Sequence, residues 1–115
     1  MLFRSILHVD DLYALLRLQM NDLTRHDGQI YNVGGGPETS VSLAELTGLC
    51  REATGRNVDI DRAPETRVGD IPWYVTDTSK VRAATGWSPK MGVKEIVADI
   101  TAWIDRHQDT LRNIL

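Results

Sequence analysis

Ile30-Tyr31-Asn32-Val33-Gly34-Gly35-Gly36-Pro37, followed through Glu38-Thr39-Ser40-Val41 by Ser42-Leu43-Ala44-Glu45-Leu46, is the stretch on which the fold turns. The β-branched and aromatic run reads as a short strand over 30–33 that stops at the glycines. Ser42-Leu43-Ala44-Glu45 is a capping box: the Ser42 hydroxyl can accept from the Glu45 N–H while the Glu45 carboxylate reaches back to the Ser42 N–H, with Val41 and Leu46 at the staple positions. Leu43, Leu46, Leu49, Cys50 and Ala53 carry that helix onward, and Gly55 is placed to supply a left-handed C-terminal cap. Strand, glycines, helix and then Asp59 imitate a dinucleotide-binding βαβ unit. Two details count against it. Thr39 stands where the third glycine belongs, and the helix begins only after Ser42, too late for its free N–H groups to hold a pyrophosphate against Gly34 and Gly36. A close-packed turn is the better reading, and no Gly-Lys-Ser/Thr follows to make it a P-loop.

Towards the N-terminus, Leu2-Phe3 and Ile6-Leu7-His8-Val9 read as a strand starting on the second residue, as expected of the tail of something longer. Asp10-Asp11 then favour the first turn of a helix. Val9, Leu12, Tyr13, Leu16, Met20 and Leu23 follow helical spacing, while Ala14, Leu15 and Leu18 fill the other side, so this helix needs cover on two faces. Towards the C-terminus, Val58-Asp59-Ile60-Asp61-Arg62 alternates like a half-exposed strand. Asp77 can cap a short helix over Thr78–Thr85, closed by Gly86. Val93, Ile96, Val97, Ile100, Trp103, Ile104 and His107 form the stripe of a long amphipathic helix reaching Leu111. The expectation is an α/β chain, one domain over residues 1–115, with few short strands and about four helices.

Composition narrows the function. The 115 residues hold 13 Lys+Arg against 16 Asp+Glu, a net charge of −3, with 25% charged and 42% hydrophobic residues. That describes a globular domain without the strongly basic face of a nucleic-acid binder. The opening residues are apolar for only two or three at a time, which fits neither a signal peptide nor a membrane span. A single cysteine, Cys50, makes no internal disulfide and fits a reducing, cytoplasmic setting.

Few side chains form a recognisable catalytic set. His8-Val9-Asp10 lacks a third metal ligand at any familiar spacing, so His8 reads as a hydrogen-bonded structural residue. His107 sits on the apolar stripe, His26 in a turn and Cys50 inside a helix. No G-x-S-x-G supports covalent hydrolysis. Arg67-Val68-Gly69-Asp70-Ile71-Pro72-Trp73-Tyr74 is different: a guanidinium, a flexible glycine, a carboxylate, a stiffened bend and two aromatics suit a phosphorylated, hydroxyl-bearing ligand. Arg67 can take phosphate oxygens and Asp70 sugar hydroxyls, although a local Arg–Asp surface pair beside a core Trp73 fits the composition equally. Arg4 is a second guanidinium candidate. Lys80, Arg82, Lys90 and Lys94 read as a solvated face.

Several segments in order carry a resemblance over almost the whole chain: Arg4-x-x-x-His8-Val9-x-Asp11-Leu12, Tyr31-Asn32-Val33-Gly34-Gly35-Gly36, Ser42-Leu43-x-Glu45-Leu46, Arg67-x-Gly69-Asp70, Asp77-x-Ser79-Lys80 and Gly86-Trp87-x-Pro89. Together they resemble the C-terminal third of an extended short-chain dehydrogenase/reductase of the NAD-dependent nucleotide-sugar epimerase/dehydratase family. Asp70-x-x-Trp73-Tyr74-Val75-x-Asp77 looks nearest to the CDP-paratose 2-epimerase branch. The resemblance implies a Rossmann-type α/β fold of which this chain holds the substrate-binding lobe plus one helix and one strand of the cofactor domain. It implies a CDP- or UDP-sugar ligand, with Arg4 and Arg67 on the pyrophosphate and Asp70 on the ribose. Relatives of this kind keep NAD bound, oxidise a sugar carbon and return the hydride, using a G-x-x-G-x-x-G for the cofactor and a Tyr-x-x-x-Lys pair for the base.

Neither motif occurs here. Tyr13, Tyr31 and Tyr74 are followed four residues on by Arg17, Gly35 and Thr78, so no catalytic or NAD-binding residue is expected in the chain. Ser5 also replaces the acidic residue that commonly follows the arginine. The expected function is nucleotide-sugar binding without turnover, with a stand-alone ligand-binding or protein-interaction module derived from the family as the alternative. With the cofactor domain missing, the apolar faces of the first helix and of 30–33 are expected to drive self-association.

Overall fold

β1, Phe3–Ser5, is the central strand of a three-stranded sheet, in a computed structural model that describes residues 2–63, 65 and 68–114. On one side it pairs antiparallel with β2, Ser40–Ser42, placing Arg4 opposite Val41; on the other it pairs parallel with β3, Trp73–Tyr74, placing Phe3 opposite Trp73 and Arg4 opposite Tyr74. Neither β2 nor β3 is legible as a strand from periodicity, because three and two residues are too few to show alternation.

Three expected strand segments are absent, each because it lacks a ladder. Residues 6–9 leave the sheet after Ser5. Ile6 N–H donates to the Thr39 carbonyl at 3.1 Å and the Thr39 hydroxyl returns a bond to the Ile6 carbonyl at 2.6 Å, which ties the chain to the glycine loop instead. Residues 30–33 are irregular, since both sides of β1 are already taken; Tyr31 and Val33 pack on the core while Ile30 is 82% exposed. Residues 58–62 are irregular too, with Val58 and Ile60 open to solvent.

The helices follow the sequence closely. α1 is Val9–Asn21, α2 Leu23–His26, α3 Leu43–Thr54, α4 Ser79–Thr85, α5 Val93–Arg106 and α6 Gln108–Arg112, with a 3-10 turn at Pro37–Thr39. The two beyond the expected four are single turns: α2 restarts after Asp22, whose side chain accepts from the Arg25 N–H, and α6 continues the α5 stripe after a break at His107. The Ser42–Glu45 capping box is formed, and Gly55 and Gly86 close α3 and α4 in left-handed conformations at φ 65° and 72°. Asp77 Oδ1 accepts from the Ser79 N–H at 2.9 Å at the start of α4.

Leu15, Val81 and Trp87 form the centre of the core, joining α1, α4 and the loop beyond α4, with Leu7, Tyr31 and Val33 packed against them. Asp11 locks this arrangement. Its buried carboxylate accepts from the Lys90 and Met91 N–H groups, both at 3.0 Å, while its carbonyl accepts from the Trp87 indole at 2.8 Å. The two-sided apolar pattern of α1 is covered on one side only: Leu15 is buried, but Val9, Tyr13, Leu16, Met20 and nearby Leu23 are exposed.

Candidate functional site

Arg4 of β1 and Asp70 of the segment before β3 come together. A guanidinium nitrogen of Arg4 lies 3.9 Å from an Asp70 carboxylate oxygen, and another donates to the Phe3 carbonyl at 3.0 Å. Both side chains are about one-third exposed, at 34% and 38%, so the pair is held in place yet open to a ligand. At 3.9 Å the carboxylate does not consume the guanidinium fork, which leaves donors for an anion and carboxylate oxygens for hydroxyls. Strand register adds a residue to the Arg4 side of the sheet. Tyr74 lies beside Arg4, whereas Phe3 and Trp73 stack on the opposite face with ring centroids 4.1 Å apart. Trp73 is therefore not a core residue; it is 66% exposed with its ring laid on Phe3. The third expected member, Arg67, lies outside the described residues.

The glycine loop has the opposite character. A Cβ on Gly34 would strike the Thr76 hydroxyl, and one on Gly35 would strike the Thr39 hydroxyl and the Ile6 carbonyl. At Gly34 and Gly35 the space that a dinucleotide-binding loop leaves for pyrophosphate is filled by this chain's own atoms, so this loop is a close-packed turn and not a pyrophosphate cradle. Gly36, at φ 72°, turns the chain into the Pro37–Thr39 turn. Thr76 is buried and shares a 3.2 Å hydrogen bond with Ser5. Below the loop, Arg82 donates both guanidinium ends to Glu38 at 3.2 and 3.1 Å and its Nε to Thr78 at 2.8 Å. The Glu38 N–H and then Arg82 hold the Glu38 carboxyl below its usual range. Arg82, which sequence reading assigns to a solvated face, is thus a structural fork; its spacing of four from Thr78 on one helix face is the signal that could have shown it. A cleft of about 330 Å³ opens beside this fork, between Pro37, Val75 and Ser79, and Arg4 and Asp70 do not line it.

His8 is structural, as its sequence context suggests. Its Nδ1 accepts from the Asp10 N–H at 3.0 Å, capping α1, which puts the ring proton on Nε2, 3.0 Å from Asp99 of α5. Among the described residues no group of three His, Cys, Asp or Glu side chains could hold a metal ion.

No family model matches the chain. It is 29% identical over 100 residues to a CDP-paratose 2-epimerase of Salmonella typhi, covering 87% of this chain and 29% of that protein. It is 30% identical over 105 residues to a dTDP-glucose 4,6-dehydratase of Streptomyces griseus, covering 91% and 31%. In fold it is similar to the crystal structure of UDP-glucose 4-epimerase from Bifidobacterium longum in complex with NAD+ and UDP, with a TM-score of 0.77 and 23% identity over 93% of this chain and 31% of that one. The chain therefore spans about three-tenths of the length of the curated relatives it matches. On its ordered motifs and its relatives, the chain is similar to one part of the NAD-dependent nucleotide-sugar epimerases and dehydratases, and its α/β fold matches the corresponding part of such a structure.

Proposed function

We propose that this chain is the C-terminal, nucleoside-diphosphate-sugar-binding part of such an epimerase or dehydratase, a single domain without catalytic residues of its own. The observation that carries the reading is the open Arg4–Asp70 pair, Arg4 on β1 and Asp70 in the segment just before β3, with Tyr74 beside Arg4. Arg4, joined by Arg67, takes the pyrophosphate, and Asp70 accepts from the ribose. Gripping the unreactive nucleotide is how such an enzyme positions a small sugar for hydride transfer. NAD belongs to the rest of the family's machinery, consistent with the filled glycine loop.

Calorimetry tests this. UDP- and CDP-sugars are expected to bind weakly, in the millimolar range, and Arg4→Ala, Asp70→Asn and Arg67→Ala are each expected to weaken binding about tenfold. NAD titrated in parallel is expected to give no heat. Absence of heat from both sugar nucleotides at millimolar concentration would remove ligand binding as the function of the chain.

The exposed apolar side of α1 supports a second element of the proposal, that this face meets the cofactor domain or, without it, another copy of the chain. Among the described residues no helix is long and apolar enough to cross a membrane. The relatives' nucleotide-sugar chemistry and the exposed, unpaired Cys50 support a cytoplasmic setting.

A further inference from the structure

We propose that the groove between α3 and the start of α5 is a docking surface for a basic amphipathic helix of another protein. The groove is an open, shallow cleft of about 700 Å³. Glu45, Gly48, Leu49 and Glu52 lie at i, i+3, i+4 and i+7, so a single stripe of α3 forms one wall; the first turn of α5 forms the other and β2 the floor. Val41, Leu49 and Val93 supply the apolar part of the lining, and the rim carries Glu38, Glu45, Glu52 and Glu95 against Lys94, with Glu38 bound to Arg82. Glu45 and Glu95 each turn one carboxylate oxygen back onto the N-terminus of their own helix, which fixes both charges at the mouth.

α3 packs on α5, and two of its features leave a face open to a partner. Leu43, Leu46 and Leu49 give it an apolar face, yet none of its residues is buried. Gly48, a poor helix former in mid-helix, faces open space: a Cβ there would meet nothing within 4 Å, so this chain's own packing does not call for glycine. It is the point where a partner's backbone can come closest to α3. Charge then selects the partner. The rim repels a nucleoside diphosphate, which separates the groove from the Arg4–Asp70 pair, and it complements lysines and arginines flanking an apolar stripe. A third helix can pack along the ridges of the two helical walls.

The test is an amide NMR titration of the whole chain with a synthetic helical peptide bearing leucines at i, i+3, i+4 and i+7 and lysines between them, alongside the same peptide with glutamates for lysines. The lysine peptide is expected to move the resonances of 45–52 and 92–95. Gly48→Leu and Glu52→Lys are each expected to weaken it about tenfold, and affinity is expected to fall as salt rises. Glu52 is exposed and Gly48 half-buried with open space at its Cβ position, and a dispersed spectrum confirms each fold; Gly48→Gln replaces Gly48→Leu if the leucine variant aggregates. Equal binding of the glutamate peptide, shifts centred on α1, or indifference to the Gly48 variants would each overturn the proposal. So would groove shifts produced by raising protein concentration without peptide, which would assign the groove to a second copy of the chain.

Discussion

Asp11 shows how much one side chain holds. Its first-turn position explains it as a dipole partner, but Asp10 beside it has the same position and is largely exposed. The difference is that Asp11 receives two backbone N–H groups from the 90–91 loop and is itself buried. Asp11→Ala would leave both donors without their partner, and the expected loss is about 3 kcal/mol by urea denaturation, against under about 0.5 kcal/mol for Asp10→Ala. The glycines divide by the same local logic. Gly35→Ala drives a methyl into Thr39 and the Ile6 carbonyl, so its denaturation midpoint is expected to fall sharply, whereas Gly48→Ala meets no atom and is expected to raise stability by up to about 1 kcal/mol. Equal midpoints for the two glycine variants would refute the close-packed loop.

Among the elements, α3 is the one whose start is written fully in the sequence. Ser42→Ala removes its cap at an expected cost of about 1 kcal/mol. The same box sets a pH dependence. The Ser42 backbone N–H, then its hydroxyl, hold the Glu45 carboxyl below its ordinary 4.5. A folded-state value depressed in this way contributes stability that is complete above the ordinary value and lost as pH falls through the folded one. Asp77 behaves alike at α4, its carboxyl held below the usual 3.8 by the Ser79 hydroxyl and N–H. The melting-temperature gap between wild type and Glu45→Ala is expected to be constant near neutral pH and to narrow below about pH 4.5; a gap that widened on acidification would reverse the assignment. Caps and stripes made the helices legible because each depends on residues within one turn of each other. The strands were not, because a strand is completed by its neighbour: 30–33 has the composition of a strand and no ladder, while Trp73–Tyr74 has only two residues and gains a ladder from β1. The candidate site divides in the same way. Arg4 and Asp70 are legible as candidates by residue type, but Tyr74 lies beside Arg4 only through register, and the Arg82–Glu38 fork spans 44 positions of chain.

At the scale of the whole molecule, the excess of surface is the feature that governs behaviour in solution. The Cα radius of gyration is 17.1 Å, where a compact domain of this length has about 13 Å. The accessible surface is 8878 Å², against roughly 6,300 Å² for a folded monomer of 12.9 kDa. The surplus of about 2,600 Å² exceeds the roughly 1,600 Å² that a standard protein–protein interface buries in total. Part of the apolar exposure lies along α1, where Tyr13, Leu16 and Met20 stand exposed at helical spacing while Leu15 and Asp11 hold the opposite side in the core. The inner side therefore fixes α1 whether or not its outer side is covered, and covering that outer side is favourable by the area it removes from water. Sedimentation velocity from micromolar to submillimolar protein is expected to show a coefficient that rises with concentration. Leu16→Lys, which changes the outer side and leaves the core and the Asp11 bonds intact, is expected to shift the transition to about tenfold higher concentration. A single concentration-independent monomer for the wild-type chain would show that the apolar side of α1 is tolerated in water and that the chain does not use it to associate.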